Sequence, residues 1–307
     1  MITTICLNPC FDKTVEVDTL QMGEVNRIRK VRLDMGGKGI NVATVVHRLG
    51  LEAQCIGCMG EDGAALLRTL LDREGLRHEF ITVPGIVRTN MKLIMGDQKG
   101  VTELNEPGTP LAPEHLKAFF QLAREKARDS GVVVLTGSLP PDCPESTYHD
   151  LMCEMDGTAC ILDTTGKSMI RGAEARPFLM KPNLSELQST LGLELRTLRS
   201  IRDAALLFIS KGAKHMVVSM GAMGAMYVDK DRTLFAPALR VNPNSTVGAG
   251  DAMIGGILKG LEVERDMASA FRYGVAAGAA SVMTEGTQLI RLDDFEMLLK
   301  QVRVQEV

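Results

Sequence analysis

The sequence predicts an α/β fold: a doubly wound, mostly parallel sheet with helices on both faces, and a small β-sheet lid set apart from it. Short β-branched runs alternate with longer stretches of helical period, as parallel strands joined by crossover helices do. Two stretches, about 13-34 and 87-105, break that alternation with strand-like runs that have no helix between them. Two glycine clusters run straight into helices, as ligand loops of open α/β sheets do. No internal repeat or low-complexity linker divides the chain, so residues 1-307 read as a single domain with the lid as an appendage.

Taken in order, Ile2-Leu7 is the first strand, and Asp12 just after it is expected at the carboxyl edge of the sheet. Val15-Val17 opens the lid. The cluster Gly36-Gly37-Lys38-Gly39-Ile40-Asn41 then leads into a helix over Asn41-Leu49. Strand Ala53-Cys58 and helix Gly63-Glu74 follow, and the lid returns with Asn90-Met95 and Val101-Leu104. Helix Pro113-Ala127, strand Val132-Thr136, helix Glu145-Met155 and strands Ala159-Asp163 and Phe178-Lys181 continue the alternation. Helix Arg202-Lys211 precedes strand His215-Ser219, and the last third is helical over Asp251-Leu261, Asp266-Met283 and Asp293-Val302.

With 45% apolar residues the chain can bury a substantial core. The formal net charge is −3 with no basic block, which argues against a nucleic-acid partner. Met1-Cys6 reads as a strand rather than a basic leader, and no long apolar run suggests a membrane span; the expected location is cytoplasmic. Seven scattered cysteines suit free thiols. Cys55 and Cys58 make one CxxC pair, but it sits in an apolar strand-like run without a second pair or a histidine at ligand spacing, so buried thiols are expected.

The densest chemistry lies in Ser245-Thr246-Val247-Gly248-Ala249-Gly250-Asp251, running into a helix of small residues. Glycines let successive amides converge, and the helix adds its positive end, so the segment attracts an anion. Asp251 would repel that anion unless it has its own task, which makes it a proton acceptor beside a phosphoryl group. In the first cluster Lys38 offers a mobile positive charge, and Asn41 offers both a donor and an acceptor; a sugar phosphate would use both.

Asp163-Thr164-Thr165-Gly166-Lys167-Ser168 imitates a P-loop but lacks its first glycine, having Ile161 there, and no GxGxxG follows the first strand. Asn183 and Glu186, three apart at a helix start, suit either a largely hydrated Mg²⁺ or a capping box. Ser219 to Gly224 offers a glycine loop for a nucleotide, or a plain connection. Asp12 could accept from sugar hydroxyls, Arg88 could clamp a phosphate, and Ser138, past another strand, could touch substrate or merely make the turn.

These residues resemble the PfkB carbohydrate kinases of the ribokinase superfamily, in order along nearly the whole chain: Leu7-Asn8-Pro9 with Asp12, Gly36 to Ala43, Gly137-Ser138-Leu139-Pro140, Lys181-Pro182-Asn183 with Glu186, and Ser245 to Asp251. The resemblance implies a ribokinase-like fold and transfer of the γ-phosphoryl group of ATP, with Mg²⁺, to a sugar-phosphate hydroxyl. It implies Asp251 as base, the amides of Gly248, Ala249 and Gly250 as the anion hole, and Asn183 with Glu186 serving the metal. Asp12, Gly37, Lys38, Asn41, Arg88 and Ser138 would hold the acceptor, while Lys181, Asn183, Ser219, Gly221 and Gly224 line the nucleotide side. A monovalent cation such as K⁺ would sit near Ser245, Val247 and Gly286, and the lid would serve for closure or for homodimer contact.

Gly23 to Arg27 and Asn105 to Gly108 resemble the branch that phosphorylates hexose phosphates. Its expected acceptor here is the 6-hydroxyl of fructose 1-phosphate, with the 1-hydroxyl of tagatose 6-phosphate as competitor and a non-catalytic sugar-phosphate sensor as the alternative of another class. Val25 and Glu103 stand where the 6-phosphofructokinase branch has basic residues, which argues against fructose 6-phosphate; Lys38 and Arg27 would replace them.

Overall fold

A computed structural model describes residues 1–96, 100–155, 157–284 and 288–307. The first half of the chain forms β1 (Ile2–Cys6), β2 (Cys10–Val17), β3 (Lys30–Gly36), α1 (Lys38–Arg48), β4 (Ala53–Asp62), α2 (Ala64–Arg73), β5 (Arg77–Ile86), β6 (Arg88–Met95) and β7 (Val101–Asn105). The second half forms α3 (Pro113–Arg128), β8 (Val132–Thr136), α4 (Thr147–Glu154), β9 (Ala159–Asp163), α5 (Gly166–Glu174), β10 (Leu179–Met180), α6 (Leu184–Leu191), α7 (Leu198–Lys211) and β11 (His215–Ser219). It ends with β12 (Ala225–Val228), β13 (Thr233–Ala236), α8 (Ala249–Glu264), α9 (Met267–Val282), α10 (Leu292–Leu299) and β14 (Gln305–Glu306).

The main sheet has the order β14-β13-β12-β11-β10-β9-β8-β1-β4-β5. Strands β5 through β11 in that order run parallel, and β12, β13 and β14 close one edge as antiparallel additions. From β1 the chain winds outward through β4 and β5, then returns to lay β8 on the other side of β1. The sheet is therefore doubly wound, with its switch point between β1 and β8, the place where such sheets take ligands.

Period-two alternation gives each strand to two cores. Val134 of β8 packs with α1, α2, α8 and α9, whereas Val133 and Leu135 face α3, α4 and α7. The same alternation explains Cys55 and Cys58: they sit three apart on β4, point into opposite cores and remain free thiols. Helices α8 and α9 cross where a Cβ on Gly256 would stand 2.4 Å from the Tyr273 carbonyl oxygen, and one on Gly274 2.6 Å from Ile257 Cγ1. Small residues let the middle of these helices touch.

A second sheet has the order β3-β2-β6-β7, with β2 and β6 parallel and both outer pairs antiparallel. It occupies the two stretches that interrupt the alternation, with edges shifted: it begins at Cys10 and its second strand ends at Gly36. Asp12 corrects the sequence expectation, because it lies within β2 of this sheet and not at the edge of the main one. The first strand ends at Cys6 and a three-residue link carries the chain across.

Candidate active site

The N-terminus of α8 meets the switch point. Gly248 caps the helix at φ 79°, a left-handed conformation that glycine adopts without strain, and a Cβ there would also strike Leu289 at 2.6 Å. Ala249, Gly250 and Asp251 form the first turn, whose amides have no partner within the helix. Asp251 is 4% exposed, and Asn41 Nδ2 donates to its Oδ2 at 2.8 Å. Burial pushes the Asp251 carboxyl up to about 6; the nearby Asp163 charge adds to this, while Lys38, Lys181 and the Asn41 amide oppose it. A buried carboxyl at that value is a usable proton acceptor near neutral pH.

Beside Asp251 lie two lysines joined by one carboxylate. Asp163, at the carboxyl end of β9, holds Lys38 Nζ at 3.3 Å on Oδ2 and has Lys181 Nζ at 3.5 Å from Oδ1, while Thr136 Oγ1 donates to Oδ2 at 3.0 Å. Burial would raise the Asp163 carboxyl, but Lys181, Lys38 and the Thr136 hydroxyl hold it below the usual range. Lys38 also reaches Glu186 Oε1 at 3.4 Å. Against the opposing effect of burial, Asp163, Glu186 and Asp251 raise Lys38 above the usual lysine range, so it stays cationic. A Cβ on Gly250 would lie 3.0 Å from Lys181 Nζ, which sets that ammonium directly beside the amide nest. In the sequence Asp163 reads as the end of a strand and the start of a P-loop imitation, with no role assigned to it; a carboxylate at the end of a central strand was the signal to weigh.

On the other side of this group, Asn183 and Glu186 form a reciprocal capping box: Glu186 N donates to Asn183 Oδ1, and Asn183 N to Glu186 Oε2, both at 2.8 Å. Glu186 keeps Oε1 for Lys38. An isolated bridge pairs Asn183 with Ser219, bringing the turn before α6 against the turn after β11. That second turn closes through Met220 N donating to the Gly224 oxygen at 2.8 Å, with Gly221 opening onto unfilled space. Among the described residues no group of three or more His, Cys, Asp or Glu side chains could hold a metal by itself.

Of the remaining predicted residues, Asp12 and Arg88 belong to the second sheet, and Gly37 follows its strand β3. Gly37 caps α1 at φ 112°, a Cβ there would meet Cys6 Sγ at 2.7 Å, and Lys38 starts the helix. Asp12 is paired with Lys92 at 2.7 Å, both buried, a partnership the sequence reading missed. Arg88 is extensively committed: its Nε and Nη2 donate to the Asn8 carbonyl, and its Nη1 to Asn90 Oδ1 and the Glu106 carbonyl. Asn8 in turn donates to the Pro107 carbonyl at 3.0 Å and to Ser138 Oγ at 3.3 Å. Arg88, Asn8 and Ser138 thus tie three loops together around the end of β1. Arg27 lies exposed between β2 and β3. Ser245 Oγ accepts from Val247 N at 3.3 Å, while Gly286 lies outside the described residues.

Residues 6–294 match the pfkB family of carbohydrate kinases. The chain belongs to that family. It is 32% identical to the 1-phosphofructokinase of Bacillus subtilis over 99% of both chains, and 36% identical to that of Xanthomonas campestris over 84% of this chain and 83% of the relative. Among solved structures it resembles the phosphofructokinase-2 of Escherichia coli in complex with potassium, with a TM-score of 0.90 and 28% identity over 98% of both chains. As a pfkB kinase it carries the ribokinase-like fold expected from the sequence, and its doubly wound sheet is that fold's central layer.

Proposed function

We propose that this pfkB kinase transfers the γ-phosphoryl group of ATP to the 6-hydroxyl of fructose 1-phosphate, giving fructose 1,6-bisphosphate. The observation that carries the chemistry is Asp251, buried at the mouth of the amide nest, aimed by Asn41 and raised to about 6. The choice of acceptor is supported by the 1-phosphofructokinase relatives.

In this reading the second sheet acts as a lid that contributes Asp12 and Arg88, and the sugar phosphate lies between it and Gly37, Lys38, Asn41 and Ser138. Asp251 takes the proton from the 6-hydroxyl, and that oxygen attacks the γ-phosphorus in line. The amides of Gly248, Ala249 and Gly250 receive the charge that builds on the transferred group, with the Lys181 and Lys38 ammoniums beside them. In phosphoryl transfer this positioning and charge stabilisation supplies most of the rate. Ser219, Gly221 and Gly224 hold the nucleotide beside Asn183.

Hard oxygen donors suit Mg²⁺: Glu186, Asn183 and also Asp163, whose buried Oδ1 has no hydrogen-bond partner. The ion would neutralise phosphate charge, with water and phosphate oxygens completing its shell. The turn around Ser245 and Val247 is our candidate site for K⁺, supported by the potassium complex of the Escherichia coli relative. Exposed Met22, Ile28, Val31 and Leu33, contributed by β3 and the segment before it, support a homodimer through the lid. No described helix is long and apolar enough to cross a membrane, and we place the enzyme in the cytoplasm.

A coupled ADP-release assay with fructose 1-phosphate, tagatose 6-phosphate, fructose 6-phosphate and free fructose tests the reading. The expected kcat/KM ranking is led by fructose 1-phosphate; leadership by any other acceptor overturns it, and no turnover with any would favour a sensor.

A further inference from the structure

The acceptor-facing side of the second sheet carries one more charge than the transfer chemistry uses. Lys92 lies on β6 and is 4% exposed, and its Nζ donates to Asp12 Oδ2 at 2.7 Å. The register places Arg88, Asn90 and Lys92 of β6 opposite Cys10, Asp12 and Thr14 of β2, so all six share one face. Their side chains form a continuous run. Arg88 donates to Asn90 Oδ1 at 3.2 Å, Asn90 Nδ2 to Cys10 Sγ at 3.2 Å, and Cys10 Sγ to Asp12 Oδ1 at 3.6 Å. Burial first, and then the Asp12 charge, push the Cys10 thiol up, so it remains an S–H donor.

Each oxygen of Asp12 therefore has its own donor, and the carboxylate plane is fixed from both sides. A carboxylate offers about four lone-pair positions, so roughly two remain for ligand hydroxyls. Opposite Lys92, the buried Thr14 hydroxyl has no hydrogen-bond partner, so this face holds a second polar atom that a hydroxylated ligand could satisfy. Joining β2 to β6 does not require the ion pair, because a continuous backbone ladder from Cys10 to Val17 already does so. A buried pair is often no more stabilising than apolar residues of the same size. The lysine needs another reason.

We propose that Lys92 is the positioning residue of the acceptor site: it fixes the direction in which Asp12 presents its remaining lone pairs, and thereby sets affinity for, and choice among, phosphorylated ketohexoses. This rests on the reading of Asp12 as a ligand of the acceptor's hydroxyls. The test is steady-state kinetics on Lys92→Met, Lys92→Arg, Asp12→Asn and the double variant Lys92→Met/Asp12→Asn, with fructose 1-phosphate, tagatose 6-phosphate and ATP varied in turn.

Lys92→Met is expected to raise the fructose 1-phosphate KM roughly tenfold or more, the effect of losing a hydrogen bond to a charged group. The ATP KM should stay within about twofold. The preference between the two ketohexose phosphates should narrow, and Lys92→Arg should recover most of the loss. The double variant leaves no unpaired buried charge and should match Asp12→Asn alone. A folded Lys92→Met with unchanged acceptor KM, or with both KM values raised equally, overturns the proposal. If Lys92→Met does not fold, the double variant decides: an acceptor KM equal to that of Asp12→Asn supports the proposal, and a further rise overturns it. Unchanged acceptor KM in Asp12→Asn overturns the Asp12 reading together with this one, whereas a raised value there with no change in Lys92→Met overturns this one alone.

Discussion

The two halves of the site are built in opposite ways. At the start of α8, four consecutive residues supply both the amides proposed to bind the anion and the carboxylate, and the helix fixes their geometry. Under the second sheet, no short segment suffices: Asp12 depends on Lys92, 80 positions later, and Arg88 on the Asn8 carbonyl, 80 positions earlier. The difference teaches how each half can change. Amides set by one helix turn keep their mutual geometry when distant strands change, whereas a contact face woven from distant strands shifts whenever a strand does.

The sharpest way to break this comparison is Asp251→Asn. Turnover should fall by roughly 10²- to 10⁴-fold, as for loss of a positioned general base, with acceptor KM little changed. Near-full turnover in steady-state assays would remove the local half of the argument. The same variant should be more stable than the parent at pH 7.5. The raised carboxyl makes the charged form costly in the folded state, so its stability is fully present below the unfolded value near 4 and is lost as pH rises through about 6. Chemical denaturation should find Asp251→Asn on the order of 2–3 kcal/mol more stable at pH 7.5, and no difference below about pH 4.

A pH profile sharpens the comparison next. Asp251 must be deprotonated to act, so kcat/KM should drop about tenfold per unit as pH falls below about 6, and the Asn variant should lose that limb. An unchanged acid limb in the variant would assign it to another group. The smallest effect is expected at Lys167→Ala. This lysine of the P-loop imitation is largely exposed and pairs with Glu145 at 3.3 Å. An exposed pair is worth about 0–1 kcal/mol, so ATP KM should move by less than roughly twofold.

The same contrast explains what the sequence disclosed. Short local patterns, a glycine cluster running into a helix at Gly248 and at Gly37 and an Asn–Glu spacing at a helix start, pointed to the α8 nest, the Lys38 turn and the Asn183 turn. Asp12 was assigned to the right neighbourhood but the wrong sheet, because nothing within Leu7-Asn8-Pro9 announces that the chain crosses to another layer. Strand β3 was legible but not read as a strand: Val31, Leu33 and Met35 alternate with Lys30, Arg32 and Asp34, the period-two signal of a half-buried strand. Strands β12 to β14 are short and pair only at one edge. Asp163 and Lys92 matter through partners 125 and 80 positions away, and no window along the chain contains both members.

Asn41 lies in the first turn of α1, on the proposed acceptor side, yet its amide donates to Asp251, the proposed base. In the proposed mechanism, sugar recognition and the speed of transfer are thus geared through this hydrogen bond. Under that mechanism, re-engineering the start of α1 for another hexose would slow the enzyme even if every atom around the phosphates stayed where it is, and recovering turnover would call for further changes on α1 rather than beside Asp251.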